Sequence, residues 1–248
     1  MSPKSITKAD FDAVLFDLDG VVTETAKVHA VCWKKVFDDF LTEHSLQTGR
    51  PFTPFDITSD YNQYVDGKLR QEGVRSFLAS RNIALPFGDP TGPSDQTTIW
   101  GIGKRKDELF TAVLREQGVD ILEDGMALIH HVRARGLKTA VVSSSKNCQA
   151  VLKVAGIEEY FDVRVDGATV DALGINGKPA PDSFLKAAEL LGATPDRSVV
   201  VEDAIAGVQA GKSGNFGLVV GVARKGDEEA LRTNGADLVV TDLKTLIV

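Results

Sequence analysis

Ala13–Phe16 is an uninterrupted apolar run that ends on two carboxylates, Asp17 and Asp19, and then on Gly20. A short continuous apolar run fits a strand buried on both faces, the kind that builds a parallel sheet covered by helices. In an open α/β sheet, ligands lie beyond the carboxyl ends of the strands, so the two acids are expected at a binding crevice. An unpaired charge at such a place is costly. A bound divalent cation would offset that cost, and a hard cation such as Mg²⁺ takes oxygen ligands and keeps waters that a phosphate can replace. The plainer reading is a strand-to-turn junction with two solvated aspartates, and the rest of the chain decides between them.

From Ile121 onward, strand patterns alternate with helical patterns of about ten residues. Strands are expected at Leu137–Val142, Phe161–Val165, Ser198–Val201, Gly217–Val222 and Asp237–Val240. Helices are expected around Asp124–Arg135, Lys146–Ala155, Pro181–Leu191, Asp203–Lys212 and Asp227–Asn234. This alternation predicts βαβ units, a doubly wound parallel sheet and an α/β fold. Between about 27 and 119 no strand pattern occurs. Trp33, Val36, Phe37, Phe40 and Leu41 repeat at helical spacing. Polar, Pro and Gly residues break the period from Thr42 to about Thr58. Tyr61–Leu78 reads as helix interrupted at Asp66–Gly67 and at Gly73, Ile83–Gly103 as a long loop, and Lys104–Gly118 as helix, with Leu109, Phe110, Val113 and Leu114 on one face. The expected organisation is a core of residues 1–26 and 120–248 with a helical insertion of residues 27–119.

Other strand ends carry polar groups of a matching kind. Ser143, Ser144, Ser145 and Lys146 follow one apolar run. Hydroxyls and backbone N–H groups at a strand-to-helix turn suit a phosphate, although serines there also serve as plain helix caps. Lys178 stands between Gly177 and Pro179, where its backbone is confined. Its alternative is a solvated loop lysine. Glu202–Asp203 close another strand, so two strands end in acidic pairs and an oxygen-ligand metal site explains both. The net charge of −7 argues against nucleic acid or an anionic membrane as partner. Cys32 and Cys148, the two cysteines, fit apolar helical patterns and read as buried thiols in a reducing compartment. The first eleven residues lack an apolar signal core, and no apolar run approaches the ~20 residues of a membrane span. A cytoplasmic location is expected.

The order DxDG, serine after a strand, lysine, then a closing acidic pair resembles the haloacid dehalogenase superfamily. FDLDGVVTETAKVHAVCWK, VVSSSKN, GKPAPDSF and VVVEDAIAGVQAG resemble its β-phosphoglucomutase group. The resemblance covers most of the core and the start of the cap, and is poor across Thr42–Gly103. It implies a Rossmann-like core with a helical cap, and a Mg²⁺-dependent phosphomutase interconverting β-D-glucose 1-phosphate and glucose 6-phosphate through an aspartyl phosphate and a glucose 1,6-bisphosphate intermediate. By matching position it implies Asp17 as nucleophile and Asp19 as general acid/base. It implies Asp17, the Asp19 backbone carbonyl, Asp203 and Glu202 as metal ligands, and Ser143, Ser144 and Lys178 as phosphoryl contacts. Ser145, Lys146 and Asn147 match phosphate-contacting or metal-supporting positions. Thr25 and His29 match hinge positions, although His29 beside Trp33 also reads as an ordinary packed histidine. Arg70, close after Gly67, and Lys106 are candidates for a distal phosphate, each otherwise a solvated helix residue. The remaining histidines, His44, His130 and His131, match no motif and are expected at the surface. The expected partner is a small sugar phosphate, and the expected oligomeric state a monomer. The alternatives are a phosphatase of the same superfamily and a non-catalytic sugar-phosphate sensor.

Overall fold

The computed structural model describes residues 6–247 and divides the chain into two compact units, Met1–Thr25 with Val119–Val248, and Ala26–Gly118. The first unit is built on one six-stranded parallel sheet of order β3-β2-β1-β4-β5-β6. Its strands are β1 (Ala13–Phe16), β2 (Lys138–Val142), β3 (Val163–Val165), β4 (Ser198–Glu202), β5 (Leu218–Val222) and β6 (Leu238–Val240). Helices α4 (Glu123–Ala134), α5 (Cys148–Ala155), α6 (Gly167–Leu173), α7 (Asp182–Leu191), α8 (Ile205–Ser213) and α9 (Glu228–Thr233) connect them. The uninterrupted apolar runs have a direct cause, since both sheet faces are covered. Ala13 and Leu15 pack with Phe184, Ala187 and Leu191 of α7 on one face. Val14, Phe16, Val141 and Val201 alternate with them and are equally buried.

β1 is central, with β2 on one side and β4 on the other, in register Phe16↔Val141 and Phe16↔Val201. The strand order reverses between β1 and β4, so their carboxyl ends form the switch point of the sheet. Asp17 and the Glu202–Asp203 pair stand there. The sequence pattern predicts no helix between β3 and Pro181, yet α6 occupies Gly167–Leu173, capped by Asp166, which accepts from the Ala168 and Thr169 N–H groups.

The second unit contains, among its described residues, helices and turns but no strand. α1 begins at Thr25 and runs to Thr48, past the break expected at Thr42. A π-helical turn, Tyr61–Val65, leads to α2 (Arg70–Ser80), and α3 spans Ile99–Gln117. Its core gathers Trp33, Phe37, Phe40, Phe55, Phe77, Leu78, Ile99 and Ile102. Gly73 does not interrupt α2; a Cβ there would lie 3.2 Å from Val65 Cγ1, so the glycine permits a close approach. The long loop is shorter than expected, because Ile99–Gly103 is already helical under a Thr98 cap. The buried stripe of α3 is Ile99, Ile102, Gly103, Lys106, Phe110 and Leu114, while Leu109 and Val113 are half-buried. Among the described residues, no helix is long and apolar enough to cross a membrane.

Candidate active site

Lys178 organises the carboxyl end of the sheet. Its ammonium donates to Asp17 Oδ1 at 2.5 Å, to Glu202 Oε1 at 2.6 Å and to the Val142 carbonyl at 2.9 Å. The side chain is 1% exposed, which removes the solvated-lysine reading. Burial opposes its charge, yet the two carboxylates outweigh burial and hold it above the usual lysine range. Burial pushes Asp17 up to about 7 against the pull of Lys178, helped by the charges of Asp19 and Asp203. Glu202 is likewise raised by burial to about 7. Its Oε2 accepts from the Ala204 N–H at 3.0 Å, and Gly207 gives it room, since a Cβ there would lie 1.8 Å from Oε1.

Asp17, Glu202 and Asp203 each present a carboxylate oxygen, all within 4.8 Å of one another and all buried. Three clustered carboxylates are hard donors, which fit a divalent cation of the Mg²⁺ and Ca²⁺ kind better than a soft metal. Gly20 makes this crowding possible. Its φ is +83°, and an added Cβ would fall 2.1 Å from Asp203 Oδ2. Lys225 Nζ stands 3.4 Å from the same oxygen. The Asp19 carboxylate accepts from the Thr25 hydroxyl, whose oxygen is also hydrogen-bonded to Thr23 Oγ1 at 2.7 Å.

Beyond β2, Ser143 is buried and its Oγ accepts from the Ser145 N–H at 3.1 Å. Ser145 Oγ in turn accepts from Asn147 N–H, at the start of α5. These two bonds brace the turn ahead of α5, whose N-cap is Asn147 and makes no side-chain cap bond. Ser144 is half-buried in the same turn, its carbonyl oxygen 2.6 Å from where a Cβ on Gly167 would be, and Lys146 is ion-paired with Asp171.

In the helical unit, Lys106 and Arg70 are not the solvated residues of the alternative reading. Lys106 is 3% exposed, hydrogen-bonded to His29 Nδ1 and set 5.3 Å from the Trp33 ring centroid and 4.6 Å from that of Phe110. His29 stacks on Phe110 with centroids 4.1 Å apart. Arg70 bonds Asp107 at 2.5 Å and lies against Gly103, one turn before Lys106. Gly67, with φ +71°, turns the chain ahead of α2. His130 is exposed and His44 and His131 are half-buried, none at either cluster.

Arg224 and Lys225 were missed in the sequence. They follow β5 at the same end of the sheet, and that placement after an apolar strand was the available signal. Arg224 bonds the Gly20 carbonyl, and Lys225 faces Asp203.

A family model of haloacid dehalogenase-like hydrolases matches residues 11–215. A β-phosphoglucomutase of Mycobacterium bovis is 50% identical over 238 residues, 95% of this chain and 91% of that protein. A phosphorylated-carbohydrate phosphatase of Thermotoga maritima is 28% identical over 92% of this chain and 94% of its own. Among solved structures, a β-phosphoglucomutase of Clostridium difficile superposes with TM-score 0.74 at 28% identity, covering 95% of this chain and 93% of the other. The chain belongs to the haloacid dehalogenase-like hydrolase family.

Proposed function

We propose that this protein is a phosphomutase that interconverts β-D-glucose 1-phosphate and glucose 6-phosphate. The observation that carries the reading is the Asp17–Lys178–Glu202 knot at the switch point, joined to 50% identity with a β-phosphoglucomutase over nearly the whole chain. Asp17, carrying the phosphoryl group as an aspartyl phosphate, passes it to the free hydroxyl of the sugar phosphate to form glucose 1,6-bisphosphate; it then attacks the other phosphorus, the sugar oxygen leaves, and the aspartyl phosphate is restored. Lys178 fixes one Asp17 oxygen and neutralises charge on the phosphoryl oxygens. Ser143 Oγ accepts from Ser145, so its own proton remains to be donated to a phosphoryl oxygen. Ser144, Ser145, Lys146 and Asn147 line the same turn.

Asp19 gives a proton to the leaving oxygen and removes one from the acceptor hydroxyl. The Thr25 hydroxyl, bonded to its carboxylate, orients it for both steps. Asp17, Asp203 and the Asp19 backbone carbonyl, with Glu202, would hold Mg²⁺, which when bound screens the repulsion between carboxylate and phosphate. The helical insertion, residues 27–119, is the candidate specificity module, and within it Arg70 and Lys106, with Gly67 and His29, are the candidates for contacting a substrate phosphate.

A hydrolase shares every step to the aspartyl phosphate and differs in using water as acceptor, and the likeness to the Thermotoga maritima phosphatase keeps that reading in the test. Protein incubated with β-glucose 1-phosphate, Mg²⁺ and a trace of glucose 1,6-bisphosphate should yield glucose 6-phosphate with little free phosphate. Free phosphate without isomer would replace the mutase with a phosphatase. Binding with neither product would favour a sensor.

A further inference from the structure

Arg224 gathers three segments of the core unit. Its Nε donates to the Gly20 carbonyl at 2.9 Å, and its two terminal nitrogens grip Asp124, one at 2.9 Å from Oδ1 and the other at 2.9 Å from Oδ2. Asp124 also accepts from the Leu243 N–H at 3.0 Å. Burial alone would raise Asp124, but Arg224 and that N–H outweigh it and hold the carboxyl below its usual value. A guanidinium that grips a carboxylate through its two terminal nitrogens keeps its Nε–H to aim elsewhere, and here it is aimed at Gly20.

Gly20 is the residue whose placement matters most for the acidic cluster, because its Cα abuts the Asp203 carboxylate. Glycine has little torsional preference of its own at φ +83°, so external bonds must select the loop geometry. Two bonds do so. The Gly20 N–H donates to the Thr23 carbonyl at 2.7 Å, which, the peptide group being planar, fixes the direction of the Asp19 carbonyl on the other side of that group. Arg224 pins the next peptide group through the Gly20 carbonyl.

We propose that Arg224 is a positioning residue for the cation site. By holding the Gly20 carbonyl it fixes the spacing between the Asp17–Asp19 segment and Asp203, and Asp124 is the counter-charge that aims the guanidinium. The proposal rests on the reading that these acids hold a divalent cation. Outer partners of metal ligands commonly tune affinity in this way.

The test is calorimetric titration of Mg²⁺ alone into the metal-free protein and into Arg224→Gln, Arg224→Lys and Asp124→Asn. Arg224→Gln should weaken binding about tenfold or more. Arg224→Lys, with a single ammonium to offer, should recover part of the loss. Asp124→Asn breaks the same ion pair but leaves the Gly20 bond, and should weaken binding less than about threefold. In steady-state assays Arg224→Gln should lower kcat and leave KM for the sugar phosphate unchanged. Should Arg224→Gln fail to fold, the ordering of Arg224→Lys below Asp124→Asn carries the test. Wild-type affinity in the Arg224 variants, or an equal loss in Asp124→Asn, overturns the proposal while the cation reading stands. No binding by the wild-type protein removes both.

Discussion

Two lysines, one in each unit, are both 3% exposed, and their surroundings differ in kind. Lys178 sits between two carboxylates and a carbonyl, whereas Lys106 is met by the faces of Trp33 and Phe110 and by an imidazole nitrogen. The first is a charge knot in which each member makes the others' burial tolerable, so removing one strands the rest. The second is a softer setting, where ring quadrupoles attract a cation without fixing it. A knot suits the reacting centre, where atoms must be held, and an aromatic setting suits a cation that recognises different anions.

Lys178→Met should have the largest effect, because it leaves Asp17 and Glu202 buried without their cation. A loss of about 3–5 kcal/mol by urea denaturation at pH 8 is expected. A loss under about 1 kcal/mol would break the contrast.

The next effect is on pH. Asp17 and Glu202 have folded values near 7, raised above their ordinary range by burial. Groups raised in this way bind protons on folding, so the stability they contribute is present below about 4 and is lost as pH rises through 7. A divalent cation replaces those protons. The rise in Tm on adding Mg²⁺ should therefore be larger at pH 8 than at pH 5.5. Equal shifts would mean that the cluster does not take the cation.

Lys106→Met retains the aliphatic stem against Trp33 and removes the charge. Stability should change by less than about 2 kcal/mol, while KM for the sugar phosphate rises about tenfold, the loss of one charged contact. Unchanged KM would assign Lys106 to packing alone. Gly103→Ala should be smallest. The added Cβ meets the flexible Arg70 stem at 3.2 Å, and a helix-propensity gain of about 1 kcal/mol offsets the displacement. A modest rise in KM with near-constant Tm would tie Arg70 to substrate binding.

The core was legible in the sequence because a doubly covered sheet requires apolar runs, and a run ending in acids marks its own carboxyl end. The helical unit was harder to read. The glycines of Ile99–Gly103 look like loop, yet Gly101 lies inside α3 under the Thr98 cap, and it is glycine because a Cβ there would lie 1.9 Å from the Gln96 carbonyl oxygen. Such glycines answer to a neighbouring backbone, which no local pattern reveals. α6 escaped for a related reason, being seven residues long and started by a side-chain cap. Lys178 was found through its flanking residues, but its sandwich between Asp17 and Glu202, 161 and 24 residues away in sequence, is a product of the fold. Arg224 was missed because its partners, Gly20 and Asp124, lie 204 and 100 residues away.

The central claim is that Asp17 carries the phosphoryl group. Protein incubated with glucose 1,6-bisphosphate and Mg²⁺, quenched in acid, digested and weighed by mass spectrometry should show one phosphoryl group on the peptide containing Asp17. Asp17→Asn, which keeps the shape of the side chain, should show none. A phosphoryl group on another residue, or one that persists in Asp17→Asn, would contradict the account.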